Sequence, residues 1–343
     1  HIQLPRASFE SSSAMMLLTA GYLFFFKGVK KKPFYLIFAF LFFSLSIFTY
    51  NAERAFIPIF LPFLILIFRR ELFSKQRKRY FLAGLLILFL FFLPLAASFF
   101  GGEATARYKL VSFIDDPGFV LQINEARGNL ALPAPIPRLV HNKVTHFVWC
   151  FGKNYLAYFS PSFLFLKGAG HHQHHVQGMG QLYLVEAPFL IFGIWSLFKQ
   201  KNKKIFLFFV SWILLSVIPV SITFDSIPNA LRTLLLLPSY QILTAFGFWE
   251  SLRRLRKNSL LRKSLLFASG LLFLAQFFYY CHQYFVLYPK KYSRDWQYGY
   301  KQVLSFVKDN YSEYDRIIIT RGYGEPHIFT LFWLAYPPSD YQN

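Results

Sequence analysis

Four clusters of Lys and Arg recur along this chain, each between two apolar runs of bilayer-spanning length, and they constrain its topology before any motif is read. The clusters are Lys27 to Lys32, Arg69 to Arg79, Lys199 to Lys204 and Arg253 to Lys263. They hold 4, 6, 4 and 6 basic residues, so 20 of the 37 Lys and Arg lie in four short loops containing one acid, Glu71. Basic loops flanking membrane spans stay cytoplasmic, and all four clusters are expected there.

A helix needs about 20 apolar residues to cross the hydrocarbon core, fewer where flanking side chains reach the interface. Eight stretches answer this description: Ser12 to Phe26, Phe34 to Tyr50, Ala55 to Phe68, Tyr80 to Phe100, Leu182 to Phe198, Ile205 to Ile222, Ala230 to Leu252 and Leu265 to Tyr284. The expected fold is an α-helical polytopic membrane protein with about eight transmembrane helices. With clusters after spans one, three, five and seven, both termini and every even-to-odd connection fall outside.

Composition agrees. The chain is 55% apolar and 21% aromatic, as for an integral membrane protein rather than a large soluble domain. Its net charge of +21 would otherwise suggest nucleic acid, but outside the clusters 17 bases face 15 acids. Nucleic acid is therefore not an expected partner. Of the two cysteines, Cys150 and Cys281, the sequence leaves open whether they pair or remain apolar thiols. The chain opens on His1 without Met or signal peptide and reads as part of a longer protein.

The expected outer side is the elaborated one. Between spans four and five lie 81 residues, Gly101 to Gln181, too many for a bare connector. Helical patterning covers Gly118 to Arg127 and Val144 to Phe159, the latter with aromatics suited to a membrane surface. Residues 1–284 form the expected membrane core, and 285–343 a small α/β segment. In that segment Gln297 to Asn310 reads as an amphipathic helix, Arg316 to Thr320 as a buried strand, and Glu325 to Ala335 as a second helix or strand. The chain carries no internal repeat, GxGxxG or P-loop.

Ionisable residues at the outer ends of spans are the first candidates for chemistry, since charge near hydrocarbon is costly. Glu53 and Arg54 sit in the turn Tyr50-Asn51-Ala52-Glu53-Arg54, either as a local ion pair or as substrate contacts. Glu186 is expected four residues into span five and Arg232 two residues into span seven. There a solvated-turn explanation is less available, and function is preferred. A guanidinium at Arg232 suits a phosphate whose lipid tail lies in a neighbouring apolar groove, the alternative being a side chain that snorkels toward the lipid headgroups. The run His171, His172, Gln173, His174, His175 has histidine pairs that can bind a divalent metal, but it lacks the partner spacing of a recognised zinc site, so a metal stays an alternative and no cofactor is assigned. A polar loop with one functional histidine is the preferred reading. Outer acids, Glu10, Glu103, Asp115, Asp116 and Glu125, are available to activate an acceptor hydroxyl.

Several segments together resemble the bacterial relatives of the dolichyl-phosphate-mannose protein mannosyltransferases, in the GT-C superfamily. They are His1 to Glu10, Tyr50 to Pro58, Arg107-Tyr108, Asp116-Pro117-Gly118, Ile123 to Arg127, His141-Asn142-Lys143, Asn154-Tyr155, Phe159-Ser160-Pro161, Gly178 to Tyr183, Pro228 to Arg232 and Ile319 to Pro326. The resemblance implies a membrane glycosyltransferase of the cell envelope that moves a sugar, with inversion, from a polyprenyl-phosphate donor to a protein or glycolipid acceptor on the outer face of the plasma membrane. In this reading Arg6, Arg54, His174 and Arg232 contact the donor or its phosphate. Glu10 and Glu53 orient hydroxyls, while Arg107 and Asp116 complete the substrate contacts. The family's catalytic carboxylate would lie upstream of His1, with Glu10 as the fallback. Relatives tend to show Arg then His ahead of Gly178, where this chain has Gln173 then His174. Two alternatives are a transporter or flippase for lipid-linked glycans and a non-catalytic envelope-assembly protein. The former predicts internal symmetry and mid-membrane charges, which the sequence does not show.

Overall fold

A computed structural model describes residues 3–100, 112–114, 116–130, 132–133, 135–224 and 226–342. Its principal helices are α1 (Glu10–Lys30), α2 (Tyr35–Thr49), α3 (Asn51–Ile67), α4 (Lys78–Phe100), α5 (Pro117–Gly128), α6 (Lys143–Ala157), α7 (Ala187–Lys199), α8 (Lys204–Ser216), α9 (Leu237–Arg254), α10 (Ser259–His282), α11 (Tyr300–Asp309) and α12 (Pro326–Trp333).

Each of the eight expected spans is largely helical, but among the described residues four stretches combine the length and apolarity needed to cross a membrane. These are Glu10–Lys30, Lys78–Ser98, Lys204–Ser221 and Ser259–Trp296. The other four fall short for readable reasons. Helix α2 has 15 residues, and α3 has 17 with Pro58 and Pro62 inside it. Helix α7 has 13 residues, about 20 Å at 1.5 Å per residue. Helix α9 has 18 but carries Glu250, Arg253 and Arg254.

Spans five and seven also start later than expected. Helix α7 begins at Ala187 and α9 at Leu237, each with a proline in its first turn, Pro188 and Pro238. Proline is suited to that position because the first amides of a helix have no intrahelical acceptor. Arg232 and Glu186 therefore lie in the turns ahead of these helices rather than inside them.

The core is built on Tyr22 of α1, whose ring meets Phe43 of α2 at 5.5 Å, Phe60 of α3 at 5.7 Å, and Phe208 and Trp212 of α8 at 5.2 and 4.4 Å. The buried indole of Trp212 donates to the Leu235 carbonyl at 3.0 Å, tying α8 to the turn before α9. Small residues admit close helix approach where aliphatic bulk would not. Gly21 of α1 accepts the Phe43 ring and Gly84 of α4 the Phe40 ring.

The basic clusters gather at one end of this bundle. Arg77 donates to the Gly28 carbonyl at 3.2 Å, and Lys204 pairs with Glu71. Arg254 stacks over Phe192 and Trp195 at 5.0 and 4.7 Å, one to two turns from Lys199. Helices α1, α7 and α9 all run toward this basic end, so the segments preceding them share the opposite end.

Compact packing divides the chain into His1–Gln276 and Phe277–Asn343. Within the second unit α11 packs on α12 through Tyr300, stacked on Phe329 at 4.6 Å, with Leu304 fully buried beside it. The helical expectation for 297–310 thus holds over Tyr300–Asp309. The buried strand expected at Arg316 to Thr320 does not form: the segment is neither helix nor strand, and Ile318 is 78% exposed. A lone strand leaves its amides and carbonyls unpaired, and no strand exists among the described residues to satisfy them. The described residues of the C-terminal unit form helices joined by irregular segments, without strand, so the α/β expectation is not met.

Candidate functional site

Three segments distant in sequence meet at the end opposite the basic clusters. The first is the stretch before α1. Gln3, buried, donates its amide to the carbonyls of His172 and Gln173 at 3.0 and 2.9 Å, and Phe9 sets its ring edge-on to His174 at 5.3 Å. The second is the histidine loop. The third is the turn before α9, Pro228 to Thr233.

Asn229 joins the second and third. Its Oδ1 accepts from the backbone amides of Leu231 and Arg232 at 3.1 and 3.2 Å, and its carbonyl accepts from Thr233 Oγ1 at 2.8 Å. Its Nδ2 lies 3.3 Å from Nδ1 of His174, and its own amide donates to the Tyr158 hydroxyl at 3.3 Å. Asparagine suits this work because one short side chain carries both an acceptor and two donors. Beside it, half-buried Arg232 donates from Nη1 to Thr223 Oγ1 at 3.0 Å. Burial pushes the Tyr158 phenol up to about 12, opposed by the Asn229 hydrogen bond and the nearby Arg232 charge.

The histidines divide their roles by burial. His171 and His174 stack face to face at 3.8 Å. His175 is buried instead, with Nε2 on the Met179 carbonyl at 2.6 Å and Nδ1 facing the Gln181 amide at 3.1 Å. Burial lowers it to about 4, so it is a neutral strut of the loop. Gly168, at φ 72°, lies against the His175 ring, where a Cβ would collide with the imidazole.

A small crevice adjoins the cluster, lined mainly by Phe163, Leu164, Ala230, Leu234, Leu236, Leu237 and Tyr240, with Gln181 and Thr233 as polar members. A cation and polar side chains beside an apolar crevice are the complement of an amphiphile with an anionic head.

Of the residues expected from sequence, His174 meets Asn229 and Phe9, and Arg232 meets Asn229 through its backbone amide while its guanidinium reaches Thr223. Arg6 and Glu10 flank Phe9, and both are exposed. Arg54 donates to the Ile47 carbonyl at 3.2 Å, bracing the turn between α2 and α3. Glu53 is buried, with no hydrogen-bond partner for Oε2 among the described residues. Asp116 is the N-cap of α5, accepting from Gly118 at 2.8 Å. Glu186 accepts from the Tyr183 amide at 2.7 Å and closes the turn ahead of α7. Arg107 lies outside the described residues. Both cysteines are free thiols. Sequence reasoning singled out neither Asn229 nor Tyr158. Pro228-Asn229 just ahead of a helix was the available signal, since asparagine commonly caps such turns.

No protein-family model, curated protein or solved structure matches the chain.

Proposed function

We propose that this protein is a membrane glycosyltransferase that transfers a sugar, with inversion, from a polyprenyl-phosphate donor to a protein or glycolipid acceptor. The observation that carries the reading is that Asn229 binds both the His174 ring and the backbone amide of Arg232, next to a largely apolar crevice. Such an arrangement suits a lipid phosphate: Arg232 neutralises the phosphate, His174 adds a hydrogen bond, and the polyprenyl chain lies along the apolar wall. Stabilising charge on the departing phosphate is the protein's main task in such a transfer, with a carboxylate to take the acceptor proton. Glu10, exposed at the start of α1, is the carboxylate to replace first.

In this proposal the basic end is cytoplasmic, the chain crosses the plasma membrane eight times using the four long helices and the four shorter ones, and the Asn229 cluster faces outward. Gathering of all four basic clusters at one end supports that orientation. The test is reconstitution in lipid vesicles with a radiolabelled polyprenyl-phosphate sugar. Donor binding that depends on Arg232 is expected, and saturable binding unchanged in Arg232→Ala would sink the reading.

A further inference from the structure

Asn229 does more than join two segments, because its hydrogen bonds leave its amide only one orientation. Oδ1 accepts two backbone amides, those of Leu231 and Arg232. Exchanging oxygen and nitrogen would set an NH2 group against two N–H donors. The group 3.3 Å from His174 Nδ1 is therefore the amide nitrogen, which has hydrogens and no lone pair to offer. The imidazole must supply the lone pair, so its proton belongs on Nε2. Its faces are also fixed, by the stacked His171 ring at 3.8 Å and the edge contact with Phe9 at 5.3 Å.

We infer that Asn229 is a positioning residue that holds His174 as the neutral Nε2–H tautomer, making it a hydrogen-bond donor at that atom and not a base. The second nitrogen of a functional histidine is commonly set by the bond the first one makes. The ligand class recognised at Nε2 is an acceptor oxygen, and on the lipid-phosphate reading proposed above, a phosphate oxygen. One residue thereby orders both anion-binding groups: it caps the turn that presents Arg232 and sets the proton on His174.

The experiment uses the full chain in lipid nanodiscs with ¹⁵N-labelled histidine, and the His174 signals are assigned by their loss in His174→Gln. At neutral pH the expected spectrum has His174 Nδ1 unprotonated and Nε2 protonated. In Asn229→Asp, one carboxylate oxygen keeps both backbone amides while the other faces His174 as an acceptor, drawing a proton to Nδ1 and shifting that nitrogen to the protonated range. A protonated Nδ1 in the native protein, or the same Nδ1 signal in Asn229→Asp, overturns the inference. The native spectrum decides alone if the variant does not fold. Binding of a fluorescent polyprenyl phosphate separates this from the functional reading. His174→Gln, whose amide N–H mimics Nε2–H, is expected to lose less affinity than His174→Asn, which should lose about tenfold or more. Equal binding by all three forms would overturn the phosphate assignment and leave the tautomer to the spectrum.

Discussion

Gly193 of α7 and Gly247 of α9 meet backbone to backbone: a Cβ on the first would strike the Leu243 carbonyl oxygen, and one on the second the Phe189 carbonyl oxygen. Backbone carbonyls cannot rotate away as a side chain can. Gly193→Ala and Gly247→Ala are each expected to destabilise the protein by about 1–3 kcal/mol, the usual cost of overpacking. The check is thermal melting in detergent, and melting temperatures equal to the native protein would contradict the crossing.

On the proposed reading Arg232 binds the donor phosphate. Removing a charge-assisted contact to a desolvated phosphate costs on the order of 2–5 kcal/mol, so Arg232→Ala should weaken donor binding at least tenfold. Arg232→Lys should restore part of it, because the planar fork that reaches both Thr223 and a phosphate is replaced by a point charge. Titrating vesicle-reconstituted protein with polyprenyl phosphate measures both, and full rescue by lysine would remove the bidentate argument.

The histidine loop should loosen in acid. His175 is lowered from 6.5 to about 4 by burial, so between those values the unfolded chain binds a proton that the folded loop excludes. Stability rises with pH wherever the unfolded state binds more protons. The loss thus develops as pH falls from about 6.5 toward 4, reaches up to about 3 kcal/mol, and is absent above that window. Hydrogen exchange across 168–181 should show it in the native chain and not in His175→Gln. The same acid transition in that variant would assign it to another group.

Asp116 is expected to act through structure. Asparagine caps helices as well as aspartate, whereas alanine costs about 1 kcal/mol. Asp116→Asn should therefore retain stability and donor binding, and Asp116→Ala should lose stability alone. A loss of donor binding in Asp116→Asn at unchanged melting temperature would return the carboxylate to the substrate site.

Helix α6 presents Val144, Val148, Trp149 and Leu156 outward while Asn154 and Tyr155 tie its other face to Ser221, Thr223 and Leu214 near the end of a candidate span. On the membrane reading such a face is expected in the interfacial layer of the bilayer. Trp149, 70% exposed in the isolated chain, should be quenched by brominated lipid, read as the difference between native protein and Trp149→Phe. No quenching difference would place α6 away from lipid.

Much of the helical layout was legible from local pattern. Long apolar runs, basic loops and the helical patterning of Gly118 to Arg127 and Val144 to Phe159 are short-range signals, and helices form there within a few residues, at Pro117–Gly128 and Lys143–Ala157. Where spans five and seven begin was misjudged, because apolar content continues through Leu182 to Leu184 and Ala230 to Leu236 although prolines delay the helices. The expected strand at Arg316 to Thr320 failed for a different reason: a β-prone run needs a partner, and partners are assigned by distant parts of the chain. The candidate site shows the same division. Arg232 and His174 are conspicuous as residue types, but the link between their segments depends on Asn229, 55 positions from His174, and the loop is held by Gln3, 169 positions from the carbonyl it binds. Hydropathy and charge act through neighbours along the chain and can be read there. Hydrogen-bond satisfaction and glycine-deep helix crossings depend on which surfaces fold onto one another, so the burial of Glu53 and His175, and the contact of His174 with Asn229, emerge only from the packed structure.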